Sequence, residues 1–288
     1  MIERFETVGS LTAWREARRD AGERVALVPT MGALHEGHLS LIDAARARAD
    51  RVVVSVFVNP TQFGPGEDYE AYPRDVARDE RLAGGRGADA VFTPGANDMY
   101  PEEQTIWVEP GPLADRLCGL SRPGHFRGVL TVVAKLFAIV RPEVAVFGRK
   151  DFQQSVLVRR MNAQLGCGVE IATAPTVREP DGLALSSRNA YLSAAEREVA
   201  RSLSGGLREA RTRFAAGERD PGALERRARA VMEAAGADVE YVSVVDPEGL
   251  EPPARAEASH VMAIAARVGT TRLIDNETLG EPSPLDTE

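Results

Sequence analysis

Residues 52–58 read Val-Val-Val-Ser-Val-Phe-Val, apolar on both alternating sets of positions. A strand with one wet face alternates apolar and polar side chains. This one must be covered on both faces, as in a parallel sheet flanked by helices. The first half of the chain supplies the other parts of such a sheet. Residues 24–28, 88–93, 144–147 and 169–174 read as further strands, and 105–108 as a weaker one. Residues 37–49, 74–82, 128–140 and 152–164 read as helices, the third stopped by Pro142. Strands alternating with helices define the α/β class, with right-handed crossovers between parallel strands.

The pattern changes after about residue 177. Residues 178–189 form a polar loop containing Gly182, and 194–216 and 221–235 are Arg/Glu/Ala-rich helices whose charges are solvated faces. Residues 239–245 and 260–273 read as strands of a small sheet. The expected division is an α/β domain at 1–176 and a smaller C-terminal α+β lid domain at 177–288, with a frayed tail at 280–288. At 43% hydrophobic and 27% charged residues, the 288-residue chain has an ordinary globular composition. A net charge of −8 argues against nucleic acid as a partner. The apolar stretch 129–140 is broken by Lys135 and is too short to span a bilayer, and residues 1–10 hold no apolar signal core. Cys118 and Cys167 read as core or boundary residues rather than a disulfide framework, and the expected compartment is the cytoplasm.

Three segments follow strands and carry chemistry. The first runs from Pro29 to His38, Pro-Thr-Met-Gly-Ala-Leu-His-Glu-Gly-His. Ligands of open α/β sheets bind at the carboxyl ends of strands. A helix starting there offers N–H groups and about half a positive charge to phosphate. His35 and His38 are three apart, so both can face one side of the first turn and donate to phosphoryl oxygens. A zinc site would need a third ligand, and the His-Glu-x-x-His metalloprotease spacing is absent. Two ordinary surface histidines are the plainer alternative, but two of the four histidines fall on this one turn.

The second segment is Asn59-Pro60-Thr61-Gln62-Phe63, whose uncharged amides suit a small polar substrate; Asn-Pro alone would also make a plain turn. The third is 147–154, Phe-Gly-Arg-Lys-Asp-Phe-Gln-Gln. There Lys150 can neutralise phosphate, Asp151 can cap a helix or bind a ribose hydroxyl, and one of Gln153 and Gln154 can face a ligand. Ser186-Ser187-Arg188, in the polar loop, makes a compact phosphate clamp that could close over nucleotide, or else a flexible linker.

Together these blocks resemble the pantothenate synthetase (pantoate–β-alanine ligase) family, over residues 12–276. The match runs through 29–38, Val-Phe-Val-Asn-Pro-Thr-Gln-Phe at 56–63, Tyr-Pro-Arg at 72–74 and Ser-Arg-Pro-Gly-His-Phe-Arg-Gly-Val at 121–129. It continues through Lys-Asp-Phe-Gln-Gln at 150–154 and Asp-Gly-Leu-Ala-Leu-Ser-Ser-Arg-Asn at 181–189. The resemblance implies a Rossmann-like ATP domain, a homodimer, Mg²⁺, and condensation of pantoate with β-alanine through a pantoyl adenylate. It implies ATP contacts from Met31, Gly32, Ala33, Leu34, His35, Glu36, Gly37 and His38, with His38 as proton donor and His35 on the phosphates. Further ATP contacts are implied for Gly148, Arg149, Lys150, Asp151, Val177, Leu185, Ser186, Ser187 and Arg188, with Lys150 and Arg188 among the catalytic groups. Gln62 and Gln154 would hold pantoate, Gln62 also β-alanine, with Asn59 and His125 as further substrate contacts. Asp79 matches an acidic position that could help order Mg²⁺. Arg149 departs from the family pattern, which has Glu there, and adds a cation beside Lys150.

The alternative is a nucleotidyltransferase acting on a phosphorylated small molecule, which would share the His-x-x-His turn but has no reason to carry the Asn59–Phe63 block. A non-catalytic nucleotide-binding protein would not need His35, His38, Lys150 and Arg188 together. A tRNA synthetase is disfavoured by the acidic charge and the lack of room for a tRNA-binding domain.

Overall fold

The computed structural model describes residues 2–283 and 285 and divides the chain into two units. The first comprises Met1–Asp115, Gly119–Gly148 and Leu157–Pro175; the second comprises Arg116–Cys118, Arg149–Val156 and Thr176–Glu288.

The first unit is built on β1 (Glu3–Phe5), β2 (Val25–Thr30), β3 (Arg51–Val56), β4 (Ala90–Phe92), β5 (Val144–Gly148) and β6 (Glu170–Ala174). These six form one parallel sheet in the order β1-β4-β3-β2-β5-β6. Val52, Val53, Val54 and Ser55 of β3 are all buried, so the strand is covered on both faces as its sequence requires. The covering helices are α1 (Val8–Asp20), α2 (Glu36–Arg46), α3 (Val76–Gly85) and α6 (His125–Val140), with the single-turn α4 (Ala96–Met99); α5 (Cys118–Ser121) and α7 (Phe152–Leu165) each begin in residues of the second unit and end in residues of the first. Sequence order reverses between β2 and β5, and the carboxyl ends of the strands at this reversal are where a doubly wound sheet binds its ligand.

The second unit has α8 (Ala194–Ala200), α9 (Ser202–Ala215) and α10 (Pro221–Ala234) beside an antiparallel sheet of β7 (Asp238–Val245), β8 (Val261–Val268) and β9 (Thr271–Thr278). Its core gathers Leu203, Leu207, Leu224, Met232, Met262 and Ile264, each 1% exposed or less.

Several expectations are corrected. Residues 105–108 are not a strand; they lie in irregular backbone, with the Val108 N–H donating to Thr131 Oγ1 of α6 at 3.0 Å. The helix expected at 194–216 is two helices, and the strand expected at 260–273 is a hairpin that turns between Val268 and Thr271. Strand β1 and helix α1 were not marked by the sequence, and Cys167 is exposed. The tail expected to fray lies partly outside the described residues, at 284 and 286–288. Within them, Ser283 and Leu285 are buried, and Leu285 joins the core of the second unit.

One close approach in the first unit depends on a glycine. A Cβ on Gly128 of α6 would lie 2.2 Å from the Thr61 carbonyl oxygen and 2.7 Å from the Gln62 nitrogen. Both atoms belong to backbone, which cannot swing aside as a side chain can. Gly128→Ala is therefore expected to destabilise the chain by about 1–3 kcal/mol, which thermal unfolding of the purified variant measures. An unchanged Tm would show that the turn gives way easily.

Candidate active site

The turn after β2 carries the first set of site residues. Gly32 has φ +88° and Ala33 φ +50°, two successive left-handed residues. Asp79 of α3 holds them: it is 1% exposed, and its carboxylate accepts the N–H groups of Ala33 at 2.9 Å and Leu34 at 2.7 Å. Burial pushes the Asp79 carboxyl up from its ordinary value, while these two amides and Arg78 favour the charged form. A Cβ on Gly32 would lie 2.9 Å from both Asp79 Oδ2 and Val56 Cγ1, so glycine meets a steric need as well as a conformational one. Each Asp79 oxygen is thus engaged by a backbone amide of the turn, so the residue holds the turn. Among the described residues no group of three or more His, Cys, Asp or Glu side chains could hold a metal ion.

The phosphate-site expectation for 31–38 is redrawn by the same bonds. The amides of Ala33 and Leu34 are used by Asp79, and that of Gly32 donates to Thr30 Oγ1 at 3.1 Å. Glu36 and Gly37, the first residues of α2, retain the first-turn amides that have no preceding helical carbonyl. His35 is the N-cap of α2, and its ring lies 4.1 Å from that of His38, centroid to centroid. The His35 N–H donates to His38 Nδ1 at 3.4 Å, so a neutral His38 carries its proton on Nε2. That is the tautomer of a proton donor on the far side of the ring.

The turn after β3 is the most tightly built part. Residues Pro60–Gln62 form a 3-10 turn capped by Asn59, whose side chain is 1% exposed and wholly used by protein partners. Asn59 is thus a framework residue, not the substrate contact the resemblance implied. Gln62 is 9% exposed, and its Nε2 lies 3.2 Å from Met31 Sδ, next to the His-x-x-His turn. His125, the first residue of α6, donates from Nδ1 to the Gln62 carbonyl at 2.8 Å and meets Arg122 Nη1 with Nε2 at 2.9 Å. Because a guanidinium can only donate, Nε2 accepts and the ring is neutral in this arrangement. Arg122 is in turn held by Glu67 through two bonds, 2.7 and 2.6 Å. His125 therefore fixes the Gln62 backbone and has both nitrogens occupied, which departs from the substrate contact expected of it.

In the second unit, the 149–151 turn is pinned by Asn276 of β9, whose Nδ2 donates to the carbonyls of Arg149 at 3.1 Å and Lys150 at 2.9 Å. Arg149 pairs with Glu281 at 2.6 Å, both side chains exposed. Gln153 is buried and occupied: Oε1 accepts from the Cys118 N–H at 3.0 Å and Nε2 donates to the Arg116 carbonyl at 2.7 Å. Gln154, partly exposed, is the glutamine of the pair left to face a ligand.

The loop expected to be a mobile clamp is built into the second unit. Leu185 N–H donates to the Val177 carbonyl at 3.0 Å, and Arg178 bridges to Ala184. Arg178, whose side chain is 4% exposed, sits on Asp275 at 2.6 Å and Glu277 at 2.7 Å. Burial alone would lower its pKa, but the two carboxylates outweigh it and raise it. The Ser186 hydroxyl caps the turn Ser187–Tyr191, accepting from the Arg188 N–H at 3.3 Å. Ser186–Arg188 thus directly follow a backbone-paired hairpin, at the start of the capped turn.

Fold and site define an α/β protein of the doubly wound class, with paired histidines at the start of α2 and the Gln62 amide beside the turn that leads into it. The chain belongs to the pantoate-beta-alanine ligase family, whose model matches residues 3–278. It is an enzyme, a ligase by that membership. A pantothenate synthetase of Anaeromyxobacter dehalogenans is 54% identical over 284 residues, covering 95% of this chain and 98% of that protein. The crystal structure of pantothenate synthetase from Thermus thermophilus superposes with a TM-score of 0.91 at 45% identity, over 96% of this chain and 99% of that one. The pantoate-beta-alanine ligase of Francisella tularensis, solved in complex with beta-gamma ATP and beta-alanine, gives a TM-score of 0.81 at 31% identity, over 98% and 99% of the two chains.

Glu67, Arg122 and Tyr100 were not singled out by sequence. Arg122 lies inside the quoted 121–129 block, where its chemistry could have been read; Glu67 and Tyr100 carry no local signal. Burial by itself would raise the Glu67 acid, but its bonds to Arg122 bring it from 4.5 down to about 2. A lowered acid contributes stability that is full above its unfolded pKa and is lost as pH falls through its folded one. Glu67→Gln should therefore cost about 3 kcal/mol at pH 7. The gap to the parent chain should close between pH 4.5 and about 2. Urea unfolding across that range checks this; a gap independent of pH would contradict it.

Proposed function

We propose that this chain joins pantoate to β-alanine in two steps. The pantoate carboxylate attacks the α-phosphorus of ATP, and pyrophosphate leaves; the amine of β-alanine then attacks the acyl carbon of pantoyl adenylate, and AMP leaves. The observation that supports this reading is the Gln62 amide, whose Nε2 lies beside Met31 in the turn that leads into the His-x-x-His helix. That juxtaposition suits a carboxylate attacking a bound nucleotide, in a chain belonging to this ligase family.

The residues supply position and charge rather than a covalent nucleophile. In this reading His38 donates from Nε2 and stabilises phosphate charge, and His35 and the first amides of α2 also face the phosphates. Lys150 and Arg188 neutralise the leaving pyrophosphate. Gly148, Asp151, Val177 and Leu185 contact ATP, Gln62 and Gln154 hold pantoate, and Gln62 also meets β-alanine. Magnesium enters bound to the triphosphate, as part of the substrate. The β-alanine amine is neutral in about one part in two thousand at pH 7, so its proton departs on or before attack. The reading includes a homodimer, in the cytoplasm, as the family resemblance implies. Among the described residues no helix is long and apolar enough to cross a membrane.

ATP–pyrophosphate exchange tests the first step. Exchange is expected with pantoate present and β-alanine absent; none above a no-acid control would sink the adenylate. His38→Ala and Lys150→Ala should each lower the exchange rate by at least about 10² while the variants stay folded. Near-normal exchange by either would remove that residue from the chemistry.

A further inference from the structure

The Gln62 amide has a defined polarity, and residues behind it determine that polarity. Asn59 Oδ1 accepts from the Thr61 N–H at 3.3 Å, from Thr61 Oγ1 at 2.9 Å and from the Tyr100 hydroxyl at 2.8 Å. Its Nδ2 donates to the Gly128 carbonyl at 3.2 Å and to Gln62 Oε1 at 3.0 Å. A backbone N–H can only donate and a backbone carbonyl can only accept, so Thr61 and Gly128 fix which end of Asn59 is oxygen and which is nitrogen. Gln62 Oε1 must then be the acceptor of that pair. Its Nε2 is left against Met31 Sδ, a weak acceptor that a substrate oxygen would readily replace.

Resting on the reading of Gln62 as the holder of pantoate, we infer that Tyr100 and Asn59 are positioning residues that present Gln62 Nε2 to the ligand as a hydrogen-bond donor. The group received there is an oxygen acceptor: a carboxylate or hydroxyl of the hydroxy acid, and of β-alanine the carboxylate end rather than the ammonium. Tyr100 suits the task because it is a donor that stays protonated: burial pushes its hydroxyl up from the ordinary value. The Lys135 ammonium lies 4.7 Å from the centre of its ring. If Asn59 were reversed, its oxygen would face the Gly128 carbonyl and Gln62 Oε1, and the Gln62 amide would turn its own oxygen outward.

Calorimetric titration of pantoate into the full-length chain tests this, with Tyr100→Phe, Gln62→Ala and the double variant. Tyr100→Phe keeps the ring and removes one donor, so it should weaken pantoate about three- to tenfold. In the Gln62→Ala background the same change should cost less than about twofold, because a residue acting through Gln62 has nothing left to orient. The KM for ATP should not move with Tyr100→Phe, whereas a general loss of structure would shift both substrates. Asn59→Asp, which removes the donor to Gln62, should weaken pantoate more than Tyr100→Phe does. Unchanged pantoate affinity in Tyr100→Phe, or equal losses in the two backgrounds, would overturn the inference while leaving Gln62 in place. Undiminished pantoate binding by Gln62→Ala would instead overturn the reading of Gln62 on which the inference rests.

Discussion

A buried carboxylate bonded to two backbone amides holds the turn from which the first half of the site is built. Asp79 receives the Ala33 and Leu34 N–H groups across a turn whose residues 32 and 33 are both left-handed. A left-handed alanine is unfavourable by itself and persists where surrounding bonds determine it. Without that carboxylate the two amides would need other partners, and the direction of the helix that begins with His35 would no longer be set. Helix α2 then places its histidines at the β2/β5 reversal of the sheet, where the chain order itself opens a crevice.

The neighbouring turn at 59–62 shows a different economy of means. Gln62 is held at the backbone by His125 and at the side chain by Asn59. Neither supporting residue has capacity left for substrate. Buried amides of this kind are costly unless every group is paired, and a fully paired network has one arrangement rather than several. Gly128 allows α6 to come close enough for the network to exist.

In the second unit the same principle fixes loops to β9. Asp275 and Glu277 hold Arg178, while Asn276 between them in sequence holds the carbonyls of Arg149 and Lys150. Alternate residues of a strand point to opposite faces, so three consecutive positions serve two loops. A loop that looks from its composition like a mobile linker is in this way an ordered platform.

By itself the sequence determined the α/β class, most of the first-unit strands and helices, and the segments that carry the chemistry. Those properties are local: the run at 52–58 has no wet face to offer, and His35 and His38 share a helical turn wherever that helix goes. It could not determine which residues of a segment face a ligand. Asn59 and Gln62 looked like substrate contacts because each bears suitable polar atoms, and the family resemblance implied His125 as another. Only the tertiary structure showed two of them occupied by partners distant in sequence, Asn59 by the Gly128 carbonyl and His125 by the Gln62 carbonyl. Nor could the sequence show that Asp79 meets backbone amides some 45 residues away. A hydrogen bond's direction depends on both partners, and one of them lies outside any local stretch of chain. The chemistry available to this protein was therefore legible in its residues, while the division into groups that meet substrate and groups that hold them was decided by packing.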